Sequence, residues 1–348
     1  MLDDINVLRQ RDPSGALLVA SLQYQQATYA AEVCNSDYDH RPISNIVVTG
    51  MGGSALAALL VKSWLKSELS VPMEVVRTYD LPAYVNENTL VIASSYSGNT
   101  EETLNCYDQA KSKGAQIAII ASGGILNDCA NDNKIACVAL PVGMQPRMAV
   151  IYNLRALVAL LAHFGVTTKD KLDEIASVSK WLQTETAKWG SDVPTKNNYA
   201  KELAQHAVGK TAVFYGGTLT APVAYKFKIS WNENAKNVAF WNELPEFNHN
   251  EFIGWTSHPV EKPFAVFDIV SNFENPKILK RFEVTDRLLS GQRPKSTVIN
   301  LAGKSAIEQL LWGSILADYI SIYVAILNGV DPTPVNLIEK LKQELAKD

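Results

Sequence analysis

SSYSGNTEET, Ser94 to Thr103, decides the fold, because it joins a strand to a helix through a run of hydroxyl side chains. Upstream, NTLVIA (88–93) is β-branched and continuously apolar, the pattern of a strand buried on both faces. Downstream, ETLNCYDQAKSKG (102–114) has helical spacing, and Asn99 with Glu102 three residues later predicts a capping box at the helix start. The loop therefore closes the C-terminal end of a strand and opens a helix, the place where ligands gather in an open parallel sheet. Helix-terminal amides suit an anion there, and Ser95, Ser97 and Thr100 add hydroxyl donors. The same residue types also build an ordinary capped turn. By itself the loop is compatible with both.

Outward from this loop the pattern repeats. NIVVTG (45–50) reads as a strand, SALAALLVKSWL (54–65) as a helix, and PMEVVRTYD (72–80), AQIAIIASGG (115–124) and KIACVALPV (134–142) as further strands. Asp12-Pro13 opens an amphipathic helix expected to run to about Cys34. The helix after QPRM (145–148) is expected to cross into a second half, and WGSDVPTKNN (189–198) suits a linker. In that half TAVFYGG (211–217), NVAFWNE (237–243), PFAVFDIV (263–270) and KSTVINLAG (295–303) are strands. They alternate with helices in TLTAPVAYKFKISWNENAK (218–236) and PKILKRFEVTDRLLSG (276–291), before two closing helices.

Each half places a Gly-Gly step after its first strand, Gly52-Gly53 and Gly216-Gly217, which predicts a duplicated α/β unit. The expected fold class is α/β, with two similar three-layer αβα domains, each a mainly parallel sheet flanked by helices, and a ligand cleft between them. The expected domains are 1–150, including the N-terminal helix, and 151–348, including the C-terminal helices.

GMGGSA (50–55) invites a dinucleotide reading, but Ala55 stands where the third glycine of that fingerprint is required. Asp80, after VVRTY, is by itself a weak ribose-binding acid. A mouth of amides and hydroxyls from the two loops suits a sugar or a phosphate monoester better than a pyrophosphate.

The composition narrows the classes. With 348 residues, 47% hydrophobic and 20% charged, the chain has room for two cores of ordinary size. A formal charge of -4 and a pI near 5.8 provide no basic field for nucleic acid or an anionic membrane. MLDDINVLRQ lacks the basic and apolar regions of a secretory leader. Arg155 interrupts the apolar run 148–165, and Glu308 and Asp318 interrupt the run 305–327, so both read as buried helices. Cys34, Cys106, Cys129 and Cys137 make no CxxC pair or Cys/His cluster, so the expectation is reduced cytoplasmic thiols, with no metal and no cofactor.

Together these segments carry a resemblance. GMGGSA, SSYSGNTEET and QPRM resemble the sugar-isomerase (SIS) domain, while NENAKNVAFWNELPEFNHNEF (232–252) and GVDPTPVNLIEKLK (329–342) resemble the bifunctional phosphoglucose/phosphomannose isomerase family. The similarity runs from about residue 40 to 345 in the family's order. It implies an aldose–ketose isomerase of glycolysis and gluconeogenesis, interconverting glucose 6-phosphate and mannose 6-phosphate with fructose 6-phosphate through a cis-enediol. By position it implies phosphate binding by Ser95, Ser97 and Thr100, with Ser54 and the Gly52 and Gly53 amides beside them. Arg147 lies near the reacting carbons, Glu233 is the base, His249 opens the ring and Lys340 assists. Thr333 lies beside C2 and C3. The resemblance also implies a homodimer in which the neighbouring subunit supplies His249.

The chemistry fits these residue types. A carboxylate can take a proton from C2 and return it at C1. An arginine stays charged beside a developing enediolate oxygen. A histidine titrates near neutral pH and suits ring opening. Each residue also has an ordinary reading. Glu233 can be a helix-end charge, His249 a turn residue like the non-catalytic His163, His206 and His258, and Arg147 a salt-bridging side chain. Lys340 can be a solvated lysine with Lys342 as its near neighbour, and Thr333 a helix cap.

Three other functions share such a fold. A sugar-phosphate-sensing regulator needs a basic DNA-binding unit, and an aminosugar synthase needs an N-terminal nucleophilic cysteine where Leu2 stands. A non-catalytic sugar-phosphate-binding protein is the remaining alternative.

Overall fold

The computed structural model describes residues 1–256 and 263–345. In chain order the helices are α1 (Ile5–Arg11), α2 (Ala16–Leu22), α3 (Gly52–Trp64), α4 (Glu101–Ser112), α5 (Gly124–Asp132), α6 (Val150–His163) and α7 (Asp170–Ser177). Then follow α8 (Ser179–Ala187), α9 (Tyr199–Ala207), α10 (Ala221–Glu233), α11 (Glu251–Gly254), α12 (Pro276–Leu288), α13 (Ala306–Asn328) and α14 (Asn336–Leu345). The strands are β1 (Asn45–Thr49), β2 (Met73–Val76), β3 (Thr89–Ser94), β4 (Gln116–Ala121), β5 (Ala136–Ala139), β6 (Thr211–Gly216), β7 (Ala239–Glu243), β8 (Phe264–Val270) and β9 (Thr297–Asn300).

The chain forms two compact units. One holds Leu22–Gln183 with Ala302–Leu311, and the other holds Met1–Ser21, Thr184–Leu301 and Trp312–Asp348. The main break thus falls after Gln183, where the sequence reading set it at 150. Helix α6 stays with the first sheet because its apolar length packs on α3. The first residues join the second sheet's unit through polar contacts: Arg11 Nη1 donates to Ile326 O, and Asp3 Oδ1 accepts from Thr195 N and Oγ1, each at 2.8 Å. The expected linker 189–198 is structured. Trp189 is buried against Trp312, and Asn198 Nδ2 donates to Gly190 O at 3.0 Å.

The first sheet has the order β2-β1-β3-β4-β5 and the second β7-β6-β8-β9, and every strand pair is parallel. Both sheets therefore use one connection rule: the second strand lies outside the first, and the third pairs on its other side. All six residues of β3 are buried, which explains its unbroken apolar run. One face of the first sheet, with Val47, Val91 and Ile119, packs on Cys106 and Tyr107 of α4 and Leu126 of α5. In the second sheet Phe214 and Phe267 stack at 5.3 Å and meet Phe227 and Trp231 of α10. Aromatic burial of this kind dominates core energetics.

The N-terminal segment departs from expectation. In place of one helix to Cys34 there are α1, α2 and a 3-10 turn at Gln23–Thr28. Gly15, at φ +72°, breaks the path, and the Asp12 carboxylate accepts from the Ala16 and Leu17 amides at 2.7 and 2.9 Å. Helix α13 is long and apolar enough to cross a membrane, but 94% of its apolar window is buried inside the fold, so it is a core helix.

Candidate active site

Residues from three segments of the first unit meet around the N-termini of α3 and α4. Ser95 Oγ lies 2.8 Å from Thr100 Oγ1 and 3.5 Å from Ser97 Oγ, and it accepts from the Gly98 amide at 3.1 Å. The loop is a tight ring of hydroxyls and amides at the positive end of α4. Its predicted capping box is not formed. Thr100 takes the cap position, and the Asn99 carboxamide instead accepts from the Ile125 amide of α5 at 3.0 Å.

The glycine step brings the other segments close. A Cβ on Gly50 would sit 2.6 Å from Ser94 O, and one on Gly53 would sit 2.4 Å from Pro146 O and 3.3 Å from Arg147 N. Gly53 thus lets the turn Pro146–Met148 lie directly on the start of α3, next to Gly52 and buried Ser54. Arg147 is buried in that turn, with its Nη1 donating to Gln145 Oε1 at 3.2 Å. Gly52, Gly53, Ser54, Ser95, Ser97, Thr100 and Arg147 therefore belong to one neighbourhood of the first unit.

The second unit repeats the architecture but fills its own loop. Gly216-Gly217 again leads into a helix, α10, and the segment after β8 again faces it. Here Glu274 inserts its carboxylate. Oε1 accepts from Leu219 N at 2.8 Å and Thr220 N at 3.0 Å, and Oε2 accepts from Thr218 Oγ1 at 3.1 Å. A Cβ on Gly217 would stand 2.3 Å from Oε1, so only glycine makes room. The amides that accept an anion in such a loop are satisfied from within, whereas the first unit's loop is lined by hydroxyls.

Glu233 ends α10 and is half-buried. Its helix is fixed to α13 by the buried Lys226–Asp318 pair at 2.6 Å, by Ser230 Oγ donating to Asp318 at 2.7 Å, and by Asn234 Nδ2 donating to Ser321 Oγ at 2.9 Å. Breaking such a buried pair by removing one partner costs about 3–5 kcal/mol. Lys236 Nζ donates to both Glu233 O and Pro332 O, drawing the end of α10 to the turn that carries Thr333. Thr333 is half-buried, and its amide donates to Asp331 Oδ1 at 2.9 Å. Because α14 begins only at Asn336, Thr333 is not its cap, and Thr333 and Lys340 do not lie on one helix.

His249 closes the 3-10 turn Glu246–His249 and is exposed. The turn is held by its neighbours. Asn248 Nδ2 donates to Thr285 Oγ1 at 2.9 Å, and Asn248 Oδ1 accepts from Arg281 Nη1 at 3.1 Å. Glu251 accepts from the Tyr215 hydroxyl and from Asn242 Nδ2, and Trp255 Nε1 donates to Tyr215 at 3.0 Å. Burial, and then the Glu251 carboxylate, raise the Tyr215 pKa, so the phenol keeps its proton and donates. Burial likewise pushes the Asp268 carboxyl up to about 6, against the opposing pull of Arg293.

Lys340 is exposed on α14. Its neighbour Lys342 lies 2.9 Å from Glu339 in a surface pair. Of the other histidines, His163 packs on Tyr38 and Phe164, and His206 meets Thr297 Oγ1 at 3.2 Å, while His258 lies outside the described residues. Cavities of about 260 Å³, at Tyr38, Arg41 and Phe164, and about 460 Å³, at Lys62, Glu74 and Tyr84, contain none of the expected site residues.

The SIS domain model matches residues 41–163, and the bacterial phospho-glucose isomerase C-terminal SIS domain model matches residues 196–345. A bifunctional phosphoglucose/phosphomannose isomerase of Caldicellulosiruptor bescii is 36% identical over 330 residues, covering 93% of this chain and 96% of its own. The chain belongs to the bifunctional phosphoglucose/phosphomannose isomerase family. The family's enzyme from Aquifex aeolicus is 32% identical, covering 89% of this chain and 92% of its own. A glucose-6-phosphate isomerase-like protein of Thermus thermophilus has the same fold at 18% identity, with a TM-score of 0.65 and 98% of each chain covered. The expected α/β fold with two SIS domains is the one found.

Sequence reasoning missed Glu251, Lys236 and Glu274, which hold the candidate residues or fill the second loop. Glu251 carried a local signal, an acid two residues after His249. Glu274 carried none, because its partners lie more than 50 positions away in the chain.

Proposed function

We infer that this chain interconverts fructose 6-phosphate with glucose 6-phosphate and mannose 6-phosphate through a cis-enediol. The carrying observation is the Ser95–Ser97–Thr100 ring at the start of α4, with the buried Arg147 turn packed on Gly53 beside it. The ring binds the phosphate, with Ser54 and the Gly52 and Gly53 amides around it, and that remote binding energy positions C1 and C2. Arg147 stabilises the enediolate oxygen. Glu233 carries the proton between C2 and C1, and His249 with Lys340 opens the ring. The four free thiols fit the cytoplasmic setting expected from the sequence. A coupled assay for glucose 6-phosphate formed from fructose 6-phosphate separates this reading from a silent sugar-phosphate-binding protein, which binds without turnover.

Thr333 carries the dual specificity in this reading. A short hydroxyl side chain leaves room for the enediol to turn about C2–C3, so the proton returns to either face of C2. Thr333→Gln is expected to abolish mannose 6-phosphate turnover and keep much of the glucose 6-phosphate turnover. Equal loss of both, or mannose activity unchanged, removes Thr333 from this role.

The active form in this reading is a homodimer in which His249 serves the neighbouring subunit's site. Exposed apolar side chains support a second copy as partner: Leu337, Ile338 and Leu341 of α14 are 83%, 42% and 58% exposed, and Phe240 on edge strand β7 is 55% exposed. Mixing inactive Glu233→Gln protein with inactive His249→Ala protein under subunit exchange is expected to restore part of the activity. Exchange shown by mass spectrometry without restored turnover excludes sharing of His249.

A further inference from the structure

Cys34 and Cys137 are distant in sequence but face each other across an isolated antiparallel bridge. Cys34 N donates to Cys137 O at 2.8 Å, and Cys137 N donates to Cys34 O at 3.0 Å. A doubly bonded antiparallel pair holds its Cα atoms about 5.5 Å apart, within the span of a disulfide. The segment carrying Cys34 is anchored on both sides. Asn35, in the left-handed region at φ +52°, sends Nδ2 to Ala130 O at 3.1 Å and Ile135 O at 3.2 Å, and the Tyr29 hydroxyl donates to Ala139 O of β5. Cys34 is exposed and Cys137 is buried, at 7% exposure. The other thiols have other neighbours: Cys106 Sγ is buried against Thr78 O and Tyr79 O, each at 3.4 Å, and Cys129 lies beside Tyr107.

We propose that Cys34 and Cys137 are a reversible disulfide site, closed by exchange with a small-molecule disulfide. Cys34, the accessible sulfur, attacks as thiolate, forming a mixed disulfide and releasing one small thiolate. The Cys137 thiolate then attacks the Cys34 sulfur, the protein disulfide forms, and the second small thiolate leaves. Two protein thiols are oxidised, one small disulfide is reduced to two thiols, and the two protein protons end on the leaving groups. Burial, reinforced by the neighbouring Cys34, raises the Cys137 pKa, so the buried sulfur resolves the mixed disulfide and does not start the exchange.

Facing Cβ atoms in a bonded antiparallel pair stand up to about 5.5 Å apart, against about 3.5–4.5 Å in a disulfide, so closure draws the two segments slightly together. The exposed Cys34 sulfur leaves the closed bond open to attack by a reducing thiol, as a reversible site requires. The closed bond encloses about 100 residues, from ahead of β1 into β5, including the Ser95–Thr100 loop, and so opposes unfolding of that unit.

The test treats the folded full-length protein with oxidised glutathione and maps its peptides without reduction. The expected result is a Cys34–Cys137 cross-linked peptide, an intact mass lower by two hydrogens, and a melting midpoint raised by roughly 5–10 °C, all reversed by dithiothreitol. A Cys106→Ser/Cys129→Ser double variant is expected to behave identically, and Cys34→Ser is expected to show neither cross-link nor shift. A glutathione adduct persisting on Cys34 without a cross-link, or a cross-link through Cys106 or Cys129, overturns the proposal. So does an unshifted midpoint in fully cross-linked protein, or a Cys34→Ser variant that shifts like the parent.

Discussion

Glu233→Gln is expected to lower kcat for fructose 6-phosphate by about 100- to 10,000-fold while leaving KM within a few-fold and the fold intact. The carboxamide has nearly the same shape but cannot accept the C2 proton. The position tolerates the exchange structurally, because α10 is held by Lys226–Asp318, Ser230–Asp318 and Asn234–Ser321 rather than by the Glu233 side chain alone. Steady-state kinetics beside circular dichroism check this. Turnover near the parent value in a folded Glu233→Gln protein removes Glu233 as the base.

The second large effect belongs to Arg147. Arg147→Ala removes the cation assigned to the enediolate oxygen, and a loss of about 100- to 1,000-fold in kcat is expected, the scale of removing one transition-state donor. Because Arg147 is buried in the turn that lies on Gly53, the variant's melting midpoint is read alongside its kinetics. Arg147→Lys keeps the charge and is expected to recover only part of the rate, since an ammonium lacks the planar fork. A loss confined to KM in Arg147→Ala places the guanidinium on the phosphate instead.

The strands were legible because each sheet is parallel and covered on both faces, so runs such as Leu90–Ala93 are apolar without interruption. The loop chemistry at Ser95–Thr100 was legible for the same reason, since it follows such a run directly. The N-terminal arm was not. Gly15 at positive φ and the reach of Asp12 to Ala16 and Leu17 break a helix whose apolar spacing continues through them. The unit boundary was also hidden, because Asp3 with Thr195 and Arg11 with Ile326 are long-range contacts that leave no local periodicity. At Thr333 the structure removes only the ordinary alternative. A threonine ahead of a helix can read as its cap, but Pro334 and Val335 intervene and Asp331 holds its amide instead.

The two Gly-Gly steps look alike in sequence and differ in the folded chain. Gly53 makes room for the backbone of the Arg147 turn, and Gly217 makes room for the Glu274 carboxylate. One loop is lined by hydroxyls and the other is filled by its own carboxylate, which supports the proposal that phosphate binds in the first unit.

The most direct measurement follows fructose 6-phosphate by NMR in deuterated buffer with the full-length protein. The account predicts that both glucose 6-phosphate and mannose 6-phosphate appear, with solvent deuterium entering at C2, and that both form at least about 100-fold more slowly with Glu233→Gln. Fructose 6-phosphate left unchanged by folded parent protein would contradict it.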